Sequence, residues 1–401
     1  TKCIKKKGKQ MIMNDFFSNE FQNRQKNRIK KMIVLIIFLV LIISLIILTI
    51  IYFNNEKFRN WCDENIINKE ITQDKVKTIV IDKDENVQVY AYDKYICVLR
   101  KKTLEFYNRV GVKVGTINVD ILNADFISAG KYLAICEKNG QKFYLISGKD
   151  KIYENEVEGN INQINVSQNG YVSIVISNTA NYKSVVDIFD TSGKEIFKTN
   201  LVNSRVVDIS VSQDSKYLAI AEVDISGIII KSSIQIVSIE TAQIINKYVS
   251  DVGKLIININ YQENDKLICM YNDSIGILRN NEYNELIKYE SSKLAFVSIN
   301  LNNRIAYIEE NSSGEYKSDT YVNIFSPNTN KYKRYIAANV AKAIRTSENK
   351  IAINFGTELH IVDIGGILIK KYKSNAEIND IVITDNLAAI VYNDNIAIIN
   401  F

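Results

Sequence analysis

The chain holds one proline, one histidine and one tryptophan in 401 residues. A lone His360 leaves no second imidazole for a histidine-built metal site. No H-E-x-x-H or G-x-S-x-G signature surrounds it. It lies in Glu358-Leu359-His360-Ile361, a strand-like setting, and reads as a structural residue. Five cysteines are too few for a disulfide scaffold at this length. Cys97, Cys136 and Cys269 fall inside apolar runs where related stretches have Ala219 or Ala221, so they read as small buried hydrophobes. Cys62 lies outside those runs and is the candidate for an intermolecular bond.

Basic charge is missing from most of the chain. Residues 1–31 carry ten Lys/Arg against two acids, or +8, so the remainder of a chain of net charge +5 sums to −3. That excludes a nucleic-acid footprint on the bulk of the protein. The first ten residues, TKCIKKKGKQ, read either as a basic tail or as sequence upstream of a start at Met11 or Met13. The richness in Ile, Asn, Lys and Tyr is a compositional bias that carries no functional information.

One long hydrophobic run is present. Met32 to Phe53 is uncharged for 22 residues and dominated by Ile, Leu and Val. As a helix it spans about 33 Å, enough for a bilayer core of about 30 Å. The run is longer than the apolar region of a signal peptide, and Tyr52-Phe53-Asn54-Asn55 offers no small-residue cleavage site. The expectation is an uncleaved single-pass anchor. Arg24, Lys26, Arg28, Lys30 and Lys31 crowd its N-terminal flank, while residues 54–77 balance five bases with five acids. The positive-inside rule then places residues 1–31 in the cytoplasm and the rest of the chain outside. Residues 54–74 read as a juxtamembrane spacer. Phe58, Trp61, Ile67 and Ile71 have rough helical spacing there, and Trp61 reads as a membrane-surface anchor.

From Val76 onward the pattern is strand-like and repetitive. Its clearest copy is Val207 to Glu222, VDISVSQDSKYLAIAE: an alternating strand, a polar turn at Gln213-Asp214-Ser215-Lys216, and an apolar second strand. Second strands start at Tyr95, Tyr132, Tyr171, Tyr217, Leu267, Ile305, Ile351 and Leu387. The spacing is that of a four-stranded propeller blade. A second family of turns follows each third strand, from Asn108-Arg109-Val110-Gly111 to Asp363-Ile364-Gly365-Gly366, with the lone Pro327 in one of them. Several outer strands then carry an aromatic: Tyr153, Phe197, Tyr248, Tyr289, Tyr335 and Tyr372.

Eight second strands but only seven later turns leave the last blade one strand short at Phe401. Thr78-Ile79-Val80-Ile81 is a surplus strand placed to supply it, closing the ring and removing an edge. The expected fold is all-β, an eight-bladed β-propeller over residues 75–401, with seven blades as the alternative, preceded by one N-terminal transmembrane helix at 32–53.

Ser212-Gln213-Asp214-Ser215-Lys216-Tyr217-Leu218-Ala219 resembles the S-x-D-G-K-x-L-A turn of WD40-, TolB- and YVTN-type propellers, with Ser215 in place of the glycine that Gly130 and Gly170 keep. The layout resembles a family of single-pass, membrane-anchored propellers of Gram-positive, spore-forming bacteria. The resemblance implies the fold and carries no functional residues across. A lone Trp cannot make the tryptophan-docking pattern of quinoprotein propellers, and sialidase-type Asp boxes are missing. Asp82-Lys83-Asp84-Glu85-Asn86 has a faint calcium-loop spacing, but Val87 stands where such a loop needs glycine. No catalytic, cofactor or metal residues are assigned. The expected function is a non-catalytic, extracytoplasmic scaffold at the cell membrane that binds an envelope protein or wall component. The alternative is an enzyme or ligand sensor built on polar groups at the central channel.

Overall fold

The computed structural model describes residues 30–55, 58–59, 62, 66, 70–72, 76–82, 85–177, 179–290, 294–309 and 319–401. The chain divides into two compact units, residues 1–68 and 69–401. In the first, Lys30–Asn54 is one helix of 25 residues, long and apolar enough to cross a membrane. Two of its polar side chains bond within the helix. Thr49 Oγ1 donates to the Leu45 carbonyl and Asn54 Nδ2 to that of Ile50, both at 2.8 Å. Cys62 is buried, so its thiol is not offered to a partner as the sequence suggested. Trp61 and Ile67 lie outside the described residues.

Among the described residues the second unit holds 33 strands, one more than eight four-stranded blades need. The first blade shows the pattern: Gln88–Tyr92, Tyr95–Arg100, Thr103–Tyr107 and Lys113–Asn118, hydrogen-bonded in that order. Blades 2 to 7 repeat it, starting at Ala124, Asn160, Ser204, Ile256, Leu294 and Ala343. Blade 8 takes Asp380–Ile383, Leu387–Val391 and Asn395–Asn400 from the C-terminus and its outer strand, Lys77–Val80, from the start of the unit. The register is Lys77↔Ile398, Thr78↔Ala397, Ile79↔Ile396 and Val80↔Asn395, antiparallel. The ring is therefore closed by joining the two ends of the unit, and the blade number is eight. Second strands begin within one residue of the expected positions.

The first strands touch their neighbours all the way round, so they form the wall of the channel. Second strands are covered on both faces; Leu218 to Ala221 are completely buried. The core is split into eight apolar clusters, each filling the gap between two adjacent blades. Cys97, Cys136 and Cys269 are buried in three of these gaps as free thiols. Burial pushes all three thiols up, that of Cys136 to about 12, which leaves them protonated and unreactive.

The turn after the first strand of blade 4 closes through its own side chains. Ser212 Oγ accepts from the amides of Lys216 and Tyr217, and Asp214 Oδ1 from that of Lys216. Ser215 has φ +58°, which is why the matching turns use Gly130, Gly170 or Asn303. At Gly170 a side chain would also strike the Tyr132 ring, 2.8 Å from the place a Cβ would take.

The surplus strand is Glu70–Thr72. It lies in the stretch read as a spacer with helical spacing, yet it pairs in parallel with the outer strand of blade 7, Ile71 opposite Tyr372. Three residues of helical periodicity are too few to resist an available sheet edge.

Candidate functional site

The sequence left polar groups at the channel as the place to look for chemistry. The structure shows what those groups do. Gln88 of blade 1 makes a two-way bond to the backbone of Ala124 in blade 2: the Ala124 amide donates to Oε1 at 2.6 Å and Nε2 donates to the carbonyl at 3.1 Å. Asn165 Nδ2 of blade 3 donates to the Ile209 carbonyl of blade 4 at 2.9 Å. The Tyr261 amide of blade 5 donates to Ser210 Oγ of blade 4 at 2.9 Å. Asn260 and Gln262 of blade 5 both donate to the Ile299 carbonyl of blade 6. Ser298 and Thr346 link blades 6 and 7 at 2.7 Å, and Arg345 pairs with Asp380 across blades 7 and 8 at 3.0 Å.

Asp208 is the centre of this wall. It is buried and joins three blades. Its Oδ1 accepts from Gln163 Nε2 of blade 3 and from the Ile209 amide, and its Oδ2 accepts from the Ile259 amide of blade 5 at 2.8 Å. Burial raises its carboxyl above the usual range, against the pull of those three donors. A carboxylate so fully engaged acts as a knot between first strands and is not presented to a substrate.

His360, flagged by its rarity, is buried in the third strand of blade 7. Its Nδ1 lies 2.7 Å from the Tyr335 hydroxyl of blade 6, and its Nε2 lies 3.3 Å from Glu358 Oε2. The Phe355 ring packs on it with centroids 4.6 Å apart. The hydrogen bond from His360, with Lys371 nearby, holds the Glu358 carboxyl down at about 2. This is a link between blades 6 and 7. In the acidic stretch that suggested calcium, Glu85 is taken by Arg100 Nη1 at 2.5 Å, and Lys83 and Asp84 lie outside the described residues. No group of three or more His, Cys, Asp or Glu side chains placed to hold a metal occurs among the described residues.

An open groove of about 320 Å³ lies between blades 1 and 2, lined by Lys102, Asp120, Leu122, Glu137 and Lys142. Both lysines bond the Asp120 carboxylate and hold it down at about 2. The two lysines and Asp120 are thus spent on one another, while Glu156 also lines the groove. The Glu137 carboxylate, in turn, accepts from the Leu122 and Asn123 amides.

What the sequence reading missed is on the loops. The two faces of the ring differ in kind. One face carries the turns between first and second strands and between third and fourth, which are mostly polar, with Val110 and Val112 in one turn of blade 1 as exposed exceptions. The other carries the turns between second and third strands and the links between blades. Exposed there are Leu122, Val202, Val252 and Val340 in links, and Ile225, Ile228, Ile229 and Ile230 in a single turn. The signal was present as the run Gly227-Ile228-Ile229-Ile230, but an apolar run in a chain this rich in isoleucine reads as another strand.

Residues 67–401 match the protein family described as "Family of unknown function (DUF5711)". No curated protein matches the sequence. Among solved structures, the chain is similar to a eukaryotic initiation factor, with TM-score 0.50 and 12% identity over 81% of this chain and 87% of that one. It is also similar to BamB from Moraxella catarrhalis, with TM-score 0.47 and 12% identity over 81% of this chain and 97% of that one. A functionally unknown protein from Desulfotomaculum acetoxidans gives TM-score 0.45 and 12% identity over 70% of this chain and 95% of that one. At such identities the likeness concerns the fold alone.

Proposed function

Since the chain belongs to the DUF5711 family, whose function is unknown, we propose from its own residues that it is a membrane-anchored scaffold whose propeller binds an envelope protein or wall component through loops on one face. The observation that carries this reading is the channel wall. Its amides, hydroxyls and Asp208 are bonded to neighbouring first strands, at six of the eight blade junctions among the described residues. A wall engaged in holding the ring together leaves the loop faces as the surface free to bind, and a scaffold needs no more than that. Helix Lys30–Asn54 serves as the anchor in this reading. The basic flank before it supports a propeller outside the cytoplasm.

Two measurements test it. Protease added to intact protoplasts should cut the propeller; protection until lysis reverses the topology. A photo-crosslinking residue at Thr191, exposed in a turn between third and fourth strands, should capture a discrete envelope partner in living cells, whereas one at Phe126, in a first strand of the channel wall, should not. Capture confined to the channel position overturns the scaffold reading in favour of a channel ligand.

A further inference from the structure

The six-residue turn Ile225-Ser226-Gly227-Ile228-Ile229-Ile230 joins the second and third strands of blade 4, Tyr217–Asp224 and Lys231–Ser238. Both strands run to eight residues, where the same two strands of blade 1 have six and five. The hairpin is therefore a longer arm than its counterpart there. At its tip Ile228 is 105% exposed, the highest value among the exposed large hydrophobics, and Ile225, Ile229 and Ile230 are about half exposed. The tip stands clear of its own blade. Among the described residues the corresponding turns Lys101-Lys102, Lys138-Asn139-Gly140-Gln141 and Asn272-Asp273 are polar, and where those of blades 7 and 8 hold an aromatic, Phe355 and Tyr392, it is not exposed. Four isoleucines at one such turn are a departure from the repeat that packing does not require.

The neighbours extend the patch. Ser204 sits opposite Asp224 in the ladder, and the link just before it exposes Val202. The Ser250 amide bonds the Ser232 carbonyl, and the link after it exposes Val252. Tyr182, at the matching turn of blade 3, is also exposed. Around this apolar tip stand Lys183, Arg205 and Lys231 against Asp224 and Asp251. An aliphatic tip with an aromatic and a basic excess at its base is the composition of a segment that enters a lipid interface.

We propose that this isoleucine hairpin inserts into the bilayer surface and gives the propeller a second, non-covalent hold on the membrane. The inference rests on the reading of Lys30–Asn54 as an anchor. Fifteen residues separate that helix from the strand beginning at Glu70, and they reach at most about 50 Å. The tether keeps the lipid surface at high effective concentration, so a tip of modest intrinsic affinity suffices. A protein groove covers one side of such a tip; the acyl boundary covers every side at once. The hold restricts the orientations available to the ring and presents its opposite, polar-turn face away from the lipid.

The test uses the full chain in proteoliposomes, with Cys3→Ser and Cys62→Ser, and a bimane fluorophore on Ile229→Cys or, on the opposite face, on Ser192→Cys. Lipids brominated along the acyl chain should remove about half the emission at residue 229 and none at 192, as a depth of about 5–10 Å requires. Iodide in the buffer should do the reverse. Quenching of residue 229 by iodide as strongly as residue 192 overturns the proposal. So does shielding from iodide without quenching by brominated lipid, which assigns the tip to a second copy or another protein. Retention in the bilayer at alkaline pH reports the anchor separately. A chain that is washed out overturns both readings, whereas a chain that is retained with residue 229 in water overturns only the hairpin. Ile229→Asp, with an unchanged melting temperature, should expose the 225–230 turn to protease in the same vesicles; continued protection of that variant also overturns the proposal.

Discussion

Two strands near the start of the propeller unit join sheets built from the other end of the chain, and they do so differently. Lys77–Val80 completes blade 8 as its fourth strand, antiparallel, with Ile79 buried among Ile96, Val98, Ile396 and Ile398. Glu70–Thr72 adds a fifth strand to blade 7, parallel, beyond an outer strand that is already in place. The first fills a vacancy and shares a core with two blades. The second adds a backbone ladder to the edge of a blade that already has its four strands. Strand pairing by itself is worth little; what makes a strand structural is the side chain it contributes to a gap between blades.

Removing the closing strand is the harshest way to break this comparison. A chain that starts at Asn86 loses a four-residue ladder and the burial of Ile79 and Ile81, each about 4% exposed. At about 1 kcal/mol for each of about four ladder bonds and about 2 kcal/mol per isoleucine, the loss is about 8 kcal/mol. That is comparable with the whole stability of many domains. Against a chain starting at Lys75, it should aggregate or melt far lower in a scanning calorimeter. Coincident melting curves refute the closure.

The same contrast can be sharpened within one strand. Ile79→Ala should cost about 2–4 kcal/mol in urea unfolding, since it opens a cavity between blades 8 and 1. Val80→Ala, at a position 73% exposed, should change it by less than about 0.5 kcal/mol. Equal effects would mean that backbone pairing, rather than the core residue, holds the ring shut.

These two strands also mark how far the sequence could be read. The closing strand was legible because counting exposes it. Each blade announces itself by a polar turn such as Gln213 to Lys216 and by an apolar second strand, and the deficit at Phe401 demands a donor. The channel wall was only half legible: Asn165, Asp208 and Asn260 lie in alternating strands, but which neighbour each side chain bonds depends on the stagger between blades, which no local pattern encodes. The fifth strand was illegible. A parallel partner hundreds of residues away leaves no turn signal, and Glu-Ile-Thr is too short for a period. The isoleucine hairpin was hidden for the opposite reason, since an apolar turn looks like a strand.

A change on the far side of the ring asks whether closure makes the eight blades melt as one. Asp187, in the third strand of blade 3, is buried with Lys198 Nζ 3.2 Å from its Oδ2, and its Oδ1 has no partner. Burial outweighs the pull of Lys198 and pushes its carboxyl up from 3.8 to about 6. The fold therefore favours the protonated form. The stability this contributes is present below pH 3.8 and is lost as the pH rises through about 6. Asp187→Asn should then stabilise the protein by about 1–2 kcal/mol at pH 8, after allowance for screening, and by nothing below pH 4. In a cooperative ring the gain appears in the single global transition. A gain confined to a separate, early transition shows that blade 3 melts apart from the closed edge.

The smallest effect belongs to the fifth strand. Ile71→Pro removes a backbone N–H and fixes φ, which a parallel ladder of only three pairs cannot absorb. Because blade 7 keeps its own four strands and its clusters with blades 6 and 8, the global melting temperature should shift by less than about 1 kcal/mol implies. The change should instead be local. The outward amides of Leu368–Lys373, now facing solvent, should exchange about fivefold faster, as a local loss of about 1 kcal/mol requires. Amides on the inward side, bonded to Glu358–Asp363, serve as the internal control. If Ile71→Pro instead lowers the melting temperature as far as Ile79→Ala does, the fifth strand belongs to the closure, and the distinction between filling a vacancy and covering an edge fails.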